Sequence, residues 1–97
     1  LGAIQWEKLE IAERRGAQEK ARDTLLGIVS ADPEWVVRYA AVTGLQGVAA
    51  AAAKEGYGEL LVPIADCLRS CVEDDGAIAV KARADWAISQ LPTRLLD

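Results

Sequence analysis

The sequence predicts an all-α protein built from repeated helical hairpins. Composition is the first reason: 52% of the residues are hydrophobic, but only 5% are aromatic and none is Phe, which favours a core of small aliphatic side chains between helices. An internal repeat is the second reason, because side chains of the same kind recur 43 residues apart. The matched pairs are Asp32 with Asp75, Val37 with Val80, Arg38 with Lys81, Ala41 with Ala84, and Leu45 with Ile88.

A period of 43 residues lies within the range of about 40–47 residues found in HEAT and armadillo repeats. Each hairpin of such a protein has an apolar face that it cannot bury alone, so neighbouring hairpins stack into an α-solenoid. We expect one HEAT-like domain over residues 1–97 with about five helices. Its hairpins are expected near residues 17–55 and 60–92, and residues 1–16 as the helical end of a preceding repeat. Because the chain opens without Met, we expect a piece of a longer protein.

The first hairpin is predicted to begin with an amphipathic helix over residues 17–29, where apolar residues recur at helical spacing. The polar run over residues 7–15 also contains good helix formers, so it either continues as helix or forms a linking turn. The apolar face of the predicted helix consists of Ala21, Leu25, Ile28 and Val29.

The second helix is predicted to start at the first acidic turn. Asp32 can accept from free backbone amides, and Pro33 fits the first helical position. Gly56 is available for a left-handed cap at the other end. Gly44 and Gly47 weaken the helix by roughly 1 kcal/mol each relative to Ala, so we expect a neighbouring helix to approach closely there.

The second half of the chain repeats this plan. A helix is predicted over residues 60–72, with Pro63 tolerated in its first turn. Residues 73–76 form the second acidic turn, and a last helix over residues 77–91 ends at Pro92.

Charge and hydropathy exclude some classes of partner. The net charge is −4 with a pI near 4.8, and the eleven Lys and Arg residues are scattered, which disfavours nucleic acid as a partner. Charged residues interrupt the hydrophobic stretches before they reach the roughly 20 residues that cross a bilayer, so no membrane span is expected.

Two cysteines, Cys67 and Cys71, lie four residues apart on one face of a predicted helix. We expect free thiols in the helical core of a protein from a reducing compartment, the cytoplasm. Since the chain has no His and only two Cys, a tetrahedral metal site would be half built, and no metal is expected. The lack of His also removes the usual base of a nucleophilic triad, so no self-contained active site is predicted.

Two stretches give the chain a specific resemblance to a known family. They are GAIQW at residues 2–6 and DPEWVVRYAAVTGLQGVA at residues 32–49. A generic HEAT repeat supplies only the acidic residue, the Val-Arg pair and the recurring Ala and Leu, whereas the grouping of Trp35, Arg38 and Tyr39 is narrower. The stretches resemble the HEAT-like repeat family of phycobilisome lyases, the E/F-type phycobilin lyases of cyanobacteria, and the F-type partner more than the E-type partner.

The resemblance implies a role in bilin handling. Members of the family attach an open-chain tetrapyrrole to a cysteine of a phycobiliprotein through a thioether bond, and some detach or isomerise it, usually as a heterodimer of two such solenoids. It therefore implies a phycobilin as a transferred ligand and no permanently bound cofactor, with a phycobiliprotein subunit and a second lyase subunit as partners. The exposed apolar ends of a cut solenoid also predict a homodimer. The alternative function is a non-enzymatic HEAT-like scaffold for protein partners.

The candidates for bilin or partner contacts are Asp32, Trp35, Arg38 and Tyr39. A bilin needs cationic or amide donors for its propionates, a carboxylate for its pyrrole nitrogens and aromatic or apolar walls, and the four side chains offer all three. Each also has a structural interpretation. Asp32 suits a helix cap and Arg38 a salt bridge to an acidic turn. Trp35 and Tyr39, four residues apart, suit packing against a neighbouring hairpin or a partner subunit.

A second, weaker cluster of candidate residues, Arg83, Asp85 and Trp86, lies on the last predicted helix. Lys81 takes the place of Arg38 in this copy, which removes the bidentate guanidinium fork. The aromatic pair of the first copy has no aromatic counterpart here either. We therefore expect recognition to lie in the first copy of the repeat.

Overall fold

The computed structural model of the chain describes the backbone of residues 3–92 and the side chains of residues 10–92. This part of the chain contains four α-helices, one short 3₁₀ turn and no strand, so the all-α prediction is confirmed. The helices are α1 (Ala3–Ala31), α2 (Trp35–Glu55), α3 (Leu61–Asp74) and α4 (Ile78–Ser89), and the 3₁₀ turn is Gly58–Leu60.

Helix α1 is longer than the sequence predicts. Instead of a segment ending at residue 16 and a new helix from residue 17, one uninterrupted helix of 29 residues covers Ala3–Ala31. Residues 7–15 therefore continue as helix, and the described residues hold four α-helices rather than about five. The reason is that strong helix formers surround Gly16, whose single cost of about 1 kcal/mol does not end a helix. Residues 1 and 2 lie outside the described residues.

The N-terminal half of α1 lies along the connection between α2 and α3. The hydroxyl of Tyr57 donates to the carbonyl of Ile11 at 3.4 Å, and Arg15 forms a salt bridge with Glu59. The guanidinium carbon of Arg15 lies 5.8 Å from the centroid of the Tyr57 ring. These contacts reach residues well before position 17, which explains why α1 extends beyond the predicted hairpin.

The helices stack in two layers. α1 packs on α2 and α3 packs on α4, so the chain forms two helical hairpins. α2 also packs on α4, and α1 contacts α3. The first helix of each hairpin therefore lies in one layer and the second helix in the other, which is how repeated hairpins bury their apolar faces.

The core between these layers is aliphatic, as the composition predicts. No polar or charged residue is fully buried within the described part of the chain. Burying a large aliphatic side chain contributes roughly 1.5–3 kcal/mol, so the leucines and isoleucine of α2 and α3 supply most of the driving force. The largest fully buried side chains are Leu45, Leu60, Leu61, Ile64, Leu68, Val42 and Val80.

Each hairpin turns at an acidic residue that accepts a backbone amide. Asp32 Oδ1 accepts from the amide of Glu34 at 2.9 Å, and Asp75 Oδ1 accepts from the amide of Ala77 at 2.9 Å. The predicted register of the first cap is wrong, because α2 begins two residues after Pro33 and Glu34 occupies the N-cap position. Asp32 closes the turn that precedes the helix.

The helix ends follow the same 43-residue offset as the side chains. α1 ends at Ala31 and α3 ends at Asp74. α2 begins at Trp35 and α4 begins at Ile78. The two turns therefore have equivalent positions. The surroundings of matched residues differ, because Val37 is 41% exposed whereas its counterpart Val80 is fully buried.

The glycines of α2 serve different purposes. A Cβ placed on Gly44 would lie 3.1 Å from Leu25 Cδ1 and 3.2 Å from Leu25 Cδ2, so the predicted close approach of a neighbouring helix is confirmed there. No atom would lie within 4 Å of a Cβ on Gly47, and the prediction is wrong for that position. Gly56 adopts φ of 81° at the C-cap, as predicted, and lets the amide of Tyr57 donate to the carbonyl of Ala52 at 2.8 Å.

Helix α2 is long and apolar enough, by length and composition alone, to cross a membrane. The sequence predicts no such segment, but the residues between Arg38 and Lys54 contain no charge. In the folded chain α2 contacts the other three helices. The side chains that it contributes to the core are Ala41, Val42, Leu45, Ala49 and Ala52.

Candidate functional site

Arg38 connects the two acidic turns. Its Nε donates to Asp75 Oδ2 at 2.9 Å and its Nη2 donates to Asp75 Oδ1 at 3.1 Å, which makes the pair bidentate. Its Nη1 donates to the carbonyls of Asp32 at 3.0 Å and Pro33 at 3.1 Å. A guanidinium has five N–H groups, so these four bonds leave Arg38 little capacity for a ligand.

The ion pair of Arg38 and Asp75 is also largely shielded from solvent. The side chains of Arg38 and Asp75 are only 17% and 6% exposed. The guanidinium hydrogen bonds lower the pKa of Asp75 below its usual value, against the opposing effect of burial, and the amide of Ala77 adds to the lowering. Hydrogen bonding to Asp75 in turn raises the pKa of Arg38. Arg38 therefore holds the second turn against the first, and the salt-bridge interpretation of this residue fits its geometry.

A groove of about 620 Å³ opens between the C-terminal ends of α1 and α3, beside this pair. Three carboxylates and two thiols line it together with apolar side chains, and Arg38 is its only cationic lining residue. Of the four candidate residues, Asp32 and Arg38 lie here. The lining residues are Leu26, Val29, Ser30, Ala31, Asp32, Arg38, Cys67, Ser70, Cys71, Asp74, Asp75 and Gly76.

Both cysteines are free thiols, as predicted, and both contact the groove. Cys71 is buried and Cys67 is half-buried. Their hydrogen bond lowers the pKa of Cys67 and raises that of Cys71, and burial raises the pKa of Cys71 further. Cys67 is consequently the thiol that ionises first. The described residues contain no group of three or more His, Cys, Asp or Glu side chains that could hold a metal ion.

The other two candidates lie elsewhere. Trp35 is 49% exposed and Tyr39 is 37% exposed, and neither lines the groove. They share one stripe of α2 with Gln46, since positions i, i+4 and i+11 fall within about 40° of one another at 100° per residue. The grouping predicted from the sequence therefore divides between two surfaces.

Arg83, from the second cluster predicted from the sequence, contacts this stripe of α2. Arg83 of α4 donates from Nη2 to Gln46 Oε1 at 3.1 Å, and its guanidinium carbon lies 4.4 Å from the centroid of the Trp86 ring. We call the surface formed by Trp35, Tyr39, Gln46, Arg83 and Trp86 the aromatic face. Sequence reasoning noted Arg83 and Trp86 but missed Gln46, because a contact between residues 37 positions apart has no local signal.

The known proteins that are similar to the chain have related names. The chain is 40% identical over 90 residues to "Phycocyanobilin lyase subunit beta" of Nostoc sp., covering 93% of the chain and 42% of that protein. It is 35% identical over 91 residues to "Phycocyanin alpha phycocyanobilin lyase CpcF" of Synechocystis sp., covering 94% and 40%. It is 36% identical over 91 residues to "Phycobilisome maturation protein" of Synechococcus elongatus, covering 94% and 42%.

No family model matches the chain, and no solved structure matches it significantly. The chain spans about two fifths of the length of these relatives. The resemblance predicted from the Trp35, Arg38 and Tyr39 grouping is confirmed, and along nearly its whole length the chain is related to the E/F-type phycobilin lyase family.

Proposed function

We propose that the chain is part of a phycobilin lyase and helps a second lyase subunit to attach a bilin chromophore to a cysteine of a phycobiliprotein. Two of the relatives described above are named phycocyanobilin lyases and a third a phycobilisome maturation protein, which supports this assignment. The chain has no His for conventional acid-base chemistry, so its contribution is to hold and orient the chromophore. The free thiols fit a reducing cytoplasm as the place of this reaction.

The groove between α1 and α3 is the proposed place for the bilin. Its volume of about 620 Å³ falls within the range of roughly 300–1,000 Å³ of small-molecule sites. Asp32 and Asp74 can accept from pyrrole N–H groups, while Leu26 and Val29 supply an apolar wall. Arg38 is committed to Asp75, so the propionates remain in water. Asp32 thus stays a bilin contact, and Arg38 supports the wall of the groove.

Titration with free phycocyanobilin, followed by visible absorbance and induced circular dichroism, tests this proposal. Ser70→Trp places an indole in the groove and is expected to weaken bilin binding at least about tenfold, since lost contacts worth 1.4 kcal/mol correspond to that factor. Ser89→Trp, the same change on exposed α4 outside the groove, is the matched control and should bind like wild type. Unfolding curves of both variants establish that they are folded.

Two results would contradict the groove assignment. Ser70→Trp could bind the bilin as well as wild type, or Trp35→Ala could abolish the signal while Ser70→Trp keeps it, which would move the bilin to the aromatic face. Attachment is tested separately, by mixing the chain with the second lyase subunit, the bilin and apo-phycocyanin α subunit and measuring the covalent product. No product and no spectral change with all components present would reject the lyase role.

The alternative function, a scaffold without a bilin, is favoured by one observation. The aromatic face exposes two Trp and one Tyr and includes the half-buried Arg83, and these residue types dominate protein interfaces. A scaffold would bind its protein partners with an unchanged affinity whether or not the bilin is present.

A further inference from the structure

The aromatic face has more exposed aromatic surface than the fold requires. Trp35 is 49% exposed and Trp86 is 45% exposed, and Tyr39 lies on the same stripe of α2 as Trp35. The core is complete without them, because aliphatic side chains fill it. Single exposed apolar residues are ordinary, but three large aromatic side chains exposed on neighbouring helices, one of them stacked on a cation, indicate a binding surface.

Arg83 is the cation in this group, and it lacks an acidic partner. It forms no salt bridge with any carboxylate in the described part of the chain; its contacts are the Gln46 amide oxygen and the Trp86 ring. Its Nε is buried and has no hydrogen-bond acceptor. The positive charge of Arg83 is therefore not neutralised by a carboxylate within the described part of the chain, and an incoming carboxylate would pair with the guanidinium.

Gln46 connects the two halves of the face. It lies on the α2 stripe of Trp35 and Tyr39, and it holds the guanidinium of Arg83 against that stripe from the neighbouring helix. Because the guanidinium also stacks on Trp86, its orientation is restricted before any partner arrives. A pre-oriented donor costs less conformational entropy on binding than a mobile one.

The charge of this layer is opposite to that of the whole chain. Helices α2 and α4 carry four Lys and Arg residues against two Asp and Glu residues, whereas the chain has a net charge of −4. Arg38 is neutralised by Asp75, so the remaining charged residues of the two helices, Lys54, Lys81 and Arg83 against Glu55 and Asp85, leave an excess of one positive charge. Complementary charge therefore favours an acidic surface on this side of the molecule.

We propose that the aromatic face is a docking site for the acidic surface of a folded protein partner, which places a carboxylate against Arg83 and apolar side chains against Trp35 and Tyr39. A protein fits better than a small molecule, because the pocket that Gln46 helps to line has a volume of only about 150 Å³, below the roughly 300–1,000 Å³ of small-molecule sites. The site is separate from the proposed bilin groove, and it depends on the proposed function only for the choice of partner proteins to test.

Binding of apo-phycocyanin α subunit and of the second lyase subunit to the chain, measured by titration calorimetry at low and high salt, tests the proposal. Arg83→Glu is expected to weaken binding of one of them by about tenfold to hundredfold at low salt, with a smaller effect at high salt. Trp35→Ala should weaken the same complex about tenfold, and because Trp35 is exposed this variant should keep the fold. Lys20→Glu on exposed α1 is the charge-matched control and should change affinity less than about twofold.

The outcomes separate this inference from the proposed function. If Arg83→Glu and Trp35→Ala bind both proteins like wild type while bilin attachment proceeds, the docking site is wrong and the lyase role stands. If wild type binds neither protein, both proposals fail. If Arg83→Glu weakens bilin binding and leaves protein binding unchanged, the carboxylate that pairs with Arg83 is a bilin propionate. If sedimentation shows that Arg83→Glu dissociates a homodimer, the occupant is a second copy. Either of these last two results overturns the proposed partner.

Discussion

The close approach of α1 and α2 at Gly44 makes a quantitative prediction. Replacing Gly by Ala inside a helix stabilises it by about 0.8–1.0 kcal/mol through the helix propensity alone. At Gly47, where a Cβ meets open space, Gly47→Ala should show that full gain. At Gly44 the new methyl would lie 3.1 Å from Leu25 Cδ1, whereas carbon atoms in contact prefer about 3.5–4.0 Å. Overpacking of this kind typically costs about 1–3 kcal/mol.

Leu25 is half-buried and packs against the core, but its terminal carbons can shift, so we take the lower end of that range. Gly44→Ala should then be close to neutral or destabilising by up to about 1 kcal/mol, and less stable than Gly47→Ala by at least about 1 kcal/mol. For a domain of this size that difference corresponds to roughly 4–8 °C in Tm. Urea and thermal unfolding followed by circular dichroism measure it.

A third variant isolates the cause. In a Leu25→Ala background the close contact no longer exists, so adding Gly44→Ala should now stabilise the chain as much as Gly47→Ala does. Equal gains at Gly44 and Gly47 in the wild-type background would refute the contact. So would a Gly44→Ala penalty that persists without the Leu25 side chain.

Two further predictions concern ionisable groups. Because the folded-state pKa of Asp75 is lowered, its contribution to stability is present above its unfolded pKa of about 3.9 and is lost as pH falls through the folded value. The stability difference between wild type and Asp75→Asn, from urea unfolding at pH 6 and pH 3, should therefore shrink in acid, and a constant difference would contradict the pairing with Arg38. Iodoacetamide should modify Cys67 before Cys71, and Cys71→Ala should slow that reaction near neutral pH by removing the hydrogen bond that lowers the pKa of Cys67. Peptide mass spectrometry follows both rates, and faster modification of buried Cys71 would count against the assignment.

Several features of the fold follow directly from sequence. The 43-residue offset is visible in the side chains that repeat, and it predicts matching turns at Asp32 and Asp75. Each of these turns is formed by a hydrogen bond between residues two positions apart, so it depends on local sequence. The left-handed cap at Gly56 is likewise local, since only glycine adopts that φ at little cost. The sequence left open whether residues 7–15 continue as helix or form a linking turn, because contacts of Ile11 and Arg15 with the distant residues Tyr57 and Glu59 help to stabilise this part of α1.

By itself the sequence determined the helical class, the repeat, the turns and the family resemblance, because each depends on residue type and spacing along the chain. The tertiary structure decided which candidate residues act together. Two turns that are 43 residues apart in sequence lie next to each other in the fold, and only this proximity lets Arg38 donate two hydrogen bonds to Asp75. α2 and α4 likewise had to pack side by side before Gln46 could place Arg83 beside the stripe that carries Trp35. Such groupings depend on distances between helices, which spacing along one chain does not specify.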